Sequence, residues 1–128
     1  MIFRRLNIED LIEISPNLHE DNRGFFYESY RKDLLEKFIN QKIDFCQENH
    51  SKSKKGVFRG LHYQLAPFEQ TKLVSVIKGS IIDIAVDIRS NSESFLKNPV
   101  EHIDITSFDS RKIISSMEKM SFVSRETA

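Results

Sequence analysis

The sequence predicts an all-β fold, a sandwich or barrel of jelly-roll type with one short helix. Short apolar or alternating runs recur along the chain between turn residues at Pro16, Gly24, Gly56, Pro67 and Gly79, the pattern of sheet sandwiches and barrels. A single stretch, 31–39, repeats apolar residues (Leu34, Leu35, Phe38, Ile39) at three- and four-residue steps, as an amphipathic helix does. Residues 81–88 are apolar apart from Asp83 and Asp87, as in a strand buried on both faces.

Taken in order, Ile12 and Ile14 before Ser15-Pro16-Asn17 read as a short strand that Pro16 ends. His19 to Gly24 is turn chemistry leading into a strand at 25–30, where Phe26 and Glu28 share a face. After the helix, 45–51 reads as a strand with polar residues on one side. A basic loop (Lys52, Lys54, Lys55) follows, closed by Gly56. Residues 57–64 and 72–78 read as strands flanking a turn at Pro67, and Gly79 permits the turn into 81–88. Residues 100–105 alternate as a strand, 107–111 read as a turn and 112–114 as a further strand. Beyond Ser115 the pattern fades, and 124–128 are expected to fray.

Length and charge bound the function. At 128 residues the chain is large enough for one domain with one core. Nineteen basic residues balance nineteen acidic ones, so no overall field favours nucleic acid or an anionic membrane. Cys46 is the single cysteine and forms no intrachain disulfide. The opening MIFRRLNIEDLIEI puts acidic residues where a signal peptide carries an apolar core. No apolar run approaches the roughly 18 residues of a membrane-spanning helix. A cytoplasmic, reducing setting is expected, with neither nucleic acid nor membrane as partner.

Polar residues on or beside the strands are the chemical signal: Arg23, Glu28, Gln47, Asn49, Arg59, His62, Gln64 and Lys72. Each is costly to desolvate without a partner, so a polar cavity built for a ligand explains the set economically. His62 can take a carbon-bound proton near neutrality, and Lys72 can stabilise the resulting enolate. Arg23 and Arg59 suit phosphate through paired hydrogen bonds; Gln47, Asn49 and Gln64 suit hydroxyls or a base. Each residue also has a plainer reading. His62 alone is a hydrogen-bonded structural histidine, Lys72 a solvated strand residue, and Arg23 the ornament of a turn. Asp83 is a buried carboxylate supporting a neighbour, and Asp87 with Arg89 a surface ion pair.

Longer strings carry a resemblance. Asp21-Asn22-Arg23-Gly24-Phe25-Phe26-Tyr27-Glu28, Gln47-Glu48-Asn49-His50-Ser51-Lys52-Ser53, and Gly56-Val57-Phe58-Arg59-Gly60-Leu61-His62-Tyr63-Gln64 stand in that order. They are followed by Gln70-Thr71-Lys72-Leu73-Val74, Gly79 and Asp83-Ile84-Ala85-Val86-Asp87-Ile88-Arg89, with Ser92 and Phe95. Over roughly residues 10 to 95 the chain closely resembles the dTDP-4-dehydrorhamnose 3,5-epimerase family.

The resemblance implies a cupin-like jelly-roll, a homodimer, and action on a nucleotide-linked 4-keto-6-deoxyhexose without metal or organic cofactor, as in dTDP-L-rhamnose or related deoxysugar biosynthesis. By the same resemblance His62 removes protons beside the ketone and Lys72 holds the enolate oxygen. Arg23, Arg59, Phe26, Glu28, Gln47 and Asn49 bind the nucleotide diphosphate and sugar, some across the dimer interface. His50, His62 and His102 lack the His-X-His spacing of metal-binding cupins, so no metal is expected.

Downstream the chain departs from the family's usual Ile-Pro-x-Gly-x-x-His-Gly-Phe segment, later tyrosine acid and histidine-pairing aspartate. Residues 114–122 contain no proline, glycine or histidine, and no tyrosine follows Tyr63. The expectation is a single domain, 1–128, family-like to about 114 with a divergent tail at 115–128, a jelly-roll incomplete at its C-terminus. Asp83 is the candidate substitute partner for His62. Three readings stay open: an epimerase, a catalytically silent nucleotide-sugar-binding or dimerisation module, and a truncated, non-functional remnant.

Overall fold

The alternating runs pair into two four-stranded antiparallel sheets and a separate hairpin. The computed structural model describes residues 1–97, 100–107, 112–115 and 120–127, with side chains through 107 apart from Leu96. In chain order the first elements are β1 (Ile2–Arg5), β2 (Leu11–Ser15), β3 (His19–Asp21), β4 (Gly24–Phe26) and α1 (Lys32–Ile39). Then come β5 (Phe58–His62), β6 (Lys72–Val74), β7 (Ser80–Asp87), α2 (Glu93–Lys97), β8 (Val100–Thr106), β9 (Lys112–Ser115) and β10 (Met120–Thr127). One sheet runs β1-β2-β9-β6 and the other β5-β10-β7-β8, while β3 and β4 pair with each other.

Two apolar clusters hold these layers. Between the sheets, Ile8 and Leu11 pack with Ala85, Ile103 and Ile105. On the outer face of the first sheet, Ile12 and Ile14 pack with Leu35 of α1 and with Ile43, joined by Phe3, Phe38 and Leu73. Successive strand residues point to opposite faces, so β2 sends Leu11 and Glu13 inward and Ile12 and Ile14 toward the helix. All four are buried. The strand covered on both faces is therefore β2. On β7, expected to be such a strand, Asp83, Ala85 and Asp87 are buried while Ile82, Ile84 and Val86 are only half-buried.

The helix forms where the three- and four-residue periodicity places it and ends at Asn40, whose φ of 56° is the left-handed conformation common at helix termini. The short α2 was not expected from the sequence. Ser92 initiates it by accepting the Phe95 backbone N–H at 3.1 Å, the geometry of an N-terminal cap. Ser92 and Ser94 hydroxyls also donate to Asp87, and Arg89 donates to it through Nε at 2.8 Å. Arg89 continues to Asp10, tying β7 to the β1–β2 connection. Burial pushes the Asp87 carboxyl up, but these hydrogen bonds more than offset it and hold the group well below the usual carboxylate range. Asp87 is 0% exposed, so the pair with Arg89 is interior, not on the surface as the sequence suggested.

Further differences concern strand extent. Residues 27–30, 45–51 and 75–78 carry no strand, because none finds a ladder partner among the described residues. Conversely, 124–127, expected to fray, belong to β10, which pairs with β5 on one side and β7 on the other. Most of the expected 107–111 turn, 108–111, lies outside the described residues.

Candidate functional site

The register of β10 places the candidate residues of β5. Ser124 pairs with Arg59 on one side and Asp83 on the other; Phe122 pairs likewise with His62 and Ala85. Residues directly opposite in an antiparallel ladder share a face. Ala85 belongs to the inter-sheet cluster, so Arg59, His62 and Asp83 all take the inner face of the second sheet. Three steps along β5 match only two along β10, a bulge. Gly60 sits within it at φ 121°, a backbone conformation side chains disfavour. At the edge of this sheet the inner face opens, and His62 is exposed.

Lys72 comes from the opposite sheet. It pairs through Ser115 with the same row as Leu11, an inner-cluster residue, and Val74 two positions on packs against that cluster. The half-buried Lys72 thus faces Asp83 across the sandwich. Asp83 is 2% exposed. Burial pushes its carboxyl up to about 7, against the opposing influence of the Ile84 backbone N–H and the Lys72 charge. No hydrogen bond joins Asp83 to His62 among the described residues. They stand on β7 and β5 with β10 between them, two strand spacings or roughly 9.5 Å apart.

The other candidates occupy the periphery. Arg23 lies in the two-residue loop of the β3–β4 hairpin, where Asp21 pairs with Gly24, and its Nη2 meets Asp21 Oδ2 at 2.5 Å. That hydrogen bond lowers the Asp21 carboxyl and raises the Arg23 guanidinium. Arg23 and Phe26 border one concavity of about 500 Å³ along the hairpin. Glu28 lies beyond β4 and accepts from Arg31 at 3.0 Å, so strand alternation no longer relates it to Phe26. Gln47 donates to Asn49 at 3.1 Å, and Arg59 Nε donates to Ser53 Oγ at 2.9 Å. Gln64 is half-buried just past β5. Among the described residues, no group of three or more His, Cys, Asp or Glu side chains is placed to hold a metal ion.

The strand register therefore sets Arg59 and His62 on the inner face of one sheet and Lys72 on the inner face of the other, with Arg23 on the separate hairpin. Residues 5–113 match the family described as dTDP-4-dehydrorhamnose 3,5-epimerase. The chain belongs to that family.

Among curated epimerases of this family, the Shigella flexneri protein is 47% identical over 93 residues, covering 73% of this chain and 51% of that protein. The Escherichia coli protein is 46% identical over 93 residues, covering 73% and 50%. The chain thus spans about half the length of the curated relatives it matches. Among solved structures, the Bacillus anthracis dTDP-4-dehydrorhamnose 3,5-epimerase with TDP and PPi bound superposes with a TM-score of 0.89 at 30% identity, covering 99% of this chain and 71% of that one. A Legionella pneumophila epimerase in complex with dTDP-4-keto-L-rhamnose gives 0.81 at 32% identity, covering 98% and 70%. The epimerases' cupin-like jelly-roll is the fold of this chain. All ten candidate residues, from Arg23 to Asp83, fall inside the matched epimerase segment, whereas β10 lies outside it.

Two relationships were not legible beforehand: the bulge that turns Arg59 and His62 to one face, and the opposition of Lys72 and Asp83. Gly60 is the one residue that could have signalled the first. The second depends on which strands face each other, which no local pattern encodes.

Proposed function

We propose that the chain binds a dTDP-linked 4-keto-6-deoxyhexose and epimerises it by proton abstraction beside the ketone. The observation that carries this reading is the shared inner face of Arg59 and His62 across from Lys72. His62 takes the proton from C3 or C5 onto a ring nitrogen, the electron pair moves onto the ketone oxygen, and the Lys72 ammonium stabilises the enolate oxygen. A proton from water then returns to the opposite face of the carbon, inverting it. The ketone itself supplies the acidity, so the reaction uses no metal or organic cofactor.

Arg59 and Arg23 receive the diphosphate, whose bidentate geometry suits guanidinium. Phe26, Glu28, Gln47, Asn49 and Gln64 contact nucleoside and sugar. The TDP and dTDP-4-keto-L-rhamnose held by the Bacillus and Legionella relatives support this substrate class. A second copy of the chain is the proposed partner. Phe25, Phe26, Phe58, Leu61 and Phe68 are each more than half exposed, more apolar surface than an isolated chain ordinarily leaves open. No helix of the described residues is long and apolar enough to cross a membrane, which accords with a proposed cytoplasmic place of action.

The test is solvent-isotope exchange. Incubated in D2O with a dTDP-4-keto-6-deoxyhexose, the protein is expected to place deuterium at C3 or C5, read by NMR. Calorimetric binding of the sugar nucleotide with no exchange overturns the enzymatic reading in favour of a silent binding module.

A further inference from the structure

The chain from Asn49 to Phe68 carries no acidic residue. Within it, Arg59 is held differently from Arg4, Arg23, Arg31 and Arg89, each of which pairs with a carboxylate. Arg59 donates its Nε–H to the Ser53 hydroxyl oxygen at 2.9 Å, and no carboxylate lies within 4.0 Å of its guanidinium among the described residues. The local backbone explains the contact. Val57 N–H donates to the Lys54 carbonyl at 3.2 Å, closing a four-residue turn whose third position is Gly56 at φ 81°, the left-handed conformation that a type II turn requires there. The turn brings the residue before it back beside the start of β5. Ser53 is accordingly half-buried, whereas Lys52, Lys54 and Lys55 are exposed.

We propose that Ser53 is a positioning residue for diphosphate binding: its hydroxyl fixes the plane of the Arg59 guanidinium and leaves the Nη1–Nη2 edge open for paired hydrogen bonds to a diphosphate. A guanidinium presents five N–H donors in one plane, so anchoring Nε sets the direction of the other four. A carboxylate in the same place would orient the group equally well but would offset its charge. The neutral hydroxyl leaves the charge intact. An untethered arginine loses rotamer freedom when it meets the phosphates, and ordering the side chain beforehand strengthens binding by reducing that loss. The diphosphate is remote from the reacting C3 and C5, so the tether acts on ground state and transition state alike and sets KM, not kcat. This inference rests on the proposed contact of Arg59 with the diphosphate.

The experiment is calorimetric titration of the full chain with dTDP in the wild type, Ser53→Ala, Ser53→Thr, Arg59→Ala and the Ser53→Ala/Arg59→Ala double variant, with the Arg59 Nε–H followed by NMR. Ser53→Ala is expected to raise Kd for dTDP about tenfold, the scale of one hydrogen bond to a charged group. Ser53→Thr, which keeps the hydroxyl, is expected to bind as the wild type does. Adding Ser53→Ala to Arg59→Ala should leave Kd unchanged, because the hydroxyl acts through the arginine; a merely structural serine would weaken both backgrounds equally. In isotope exchange, Ser53→Ala should raise KM by the same factor and keep kcat at the wild-type value. Wild-type Kd in Ser53→Ala, or an equal loss in both backgrounds, overturns the inference and leaves the proposed function standing. A wild type that binds no dTDP removes the proposed function and this role with it, even where an Arg59 Nε–H signal that shifts in Ser53→Ala shows the tether itself to be present.

Discussion

Arg59 and His62 stand three residues apart on β5 and still share a face, because β10 advances only two residues, Ser124 to Phe122, between their partners. An unbroken strand puts positions three apart on opposite faces. The bulge is thus what puts the proposed phosphate-binding cation and the proposed base on one face. Gly60, at φ 121°, permits it.

Gly60→Ala is expected to cost about 1–2 kcal/mol of stability, since alanine strains at that backbone conformation. It should reduce isotope exchange far more than nucleotide binding, because the base is displaced while other diphosphate contacts remain. Chemical denaturation, calorimetry with dTDP and exchange rates on the same preparation check both parts.

Asp87→Ala is expected to destabilise the fold by about 3 kcal/mol or more, the scale for removing one partner of a buried ion pair. The carboxyl is depressed in the folded state. Its contribution is therefore full above the unfolded carboxylate pKa of about 3.9 and is lost as pH falls through the lower folded value. Urea unfolding at pH 7 and pH 3 should give a large wild-type advantage at the first pH and a smaller one at the second.

Asp83 has the opposite sign. Its folded pKa, near 7, lies above the unfolded value, so the folded state binds the extra proton and loses stability as pH rises from about 4 to 7. Asp83→Asn removes that loss. The variant should gain stability over the wild type progressively across this window, by on the order of 2–4 kcal/mol at pH 8. A pH-independent difference in unfolding free energy contradicts the assignment.

Leu35→Ala tests how the helix is held. Leu35 is 1% exposed against Ile12, Ile14 and Ile43, and truncation of such a residue costs about 2–5 kcal/mol. Thermal unfolding is the measurement. The proposed isotope exchange should persist below the lowered midpoint, since Leu35 packs on the other face of the first sheet.

Much of this was legible in the chain. The periodicity of Leu34, Leu35, Phe38 and Ile39 locates α1 because a helix face repeats locally, and strings such as Arg59-Gly60-Leu61-His62 carry the family. Pairing was harder to read. Residues 45–51 alternate like a strand but find no ladder among the described residues, while Met120–Thr127, rich in polar residues, forms a strand because β5 and β7 flank it. The apolar run of β7 suggested burial on both faces. Its innermost positions instead hold two aspartates and an alanine, since they face Lys72, Arg89 and the facing core, not a second apolar layer. Asp83 was expected to serve His62; the register sets β10 between them and Lys72 opposite.

The central claim is that His62 is the base, and it is tested most directly by comparing C3 and C5 deuterium incorporation by the wild type and His62→Asn. Both proteins should bind dTDP comparably. The wild type should exchange, and the variant should lose about 10²-fold or more, the scale of a missing general base. Exchange by His62→Asn at the wild-type rate contradicts the account.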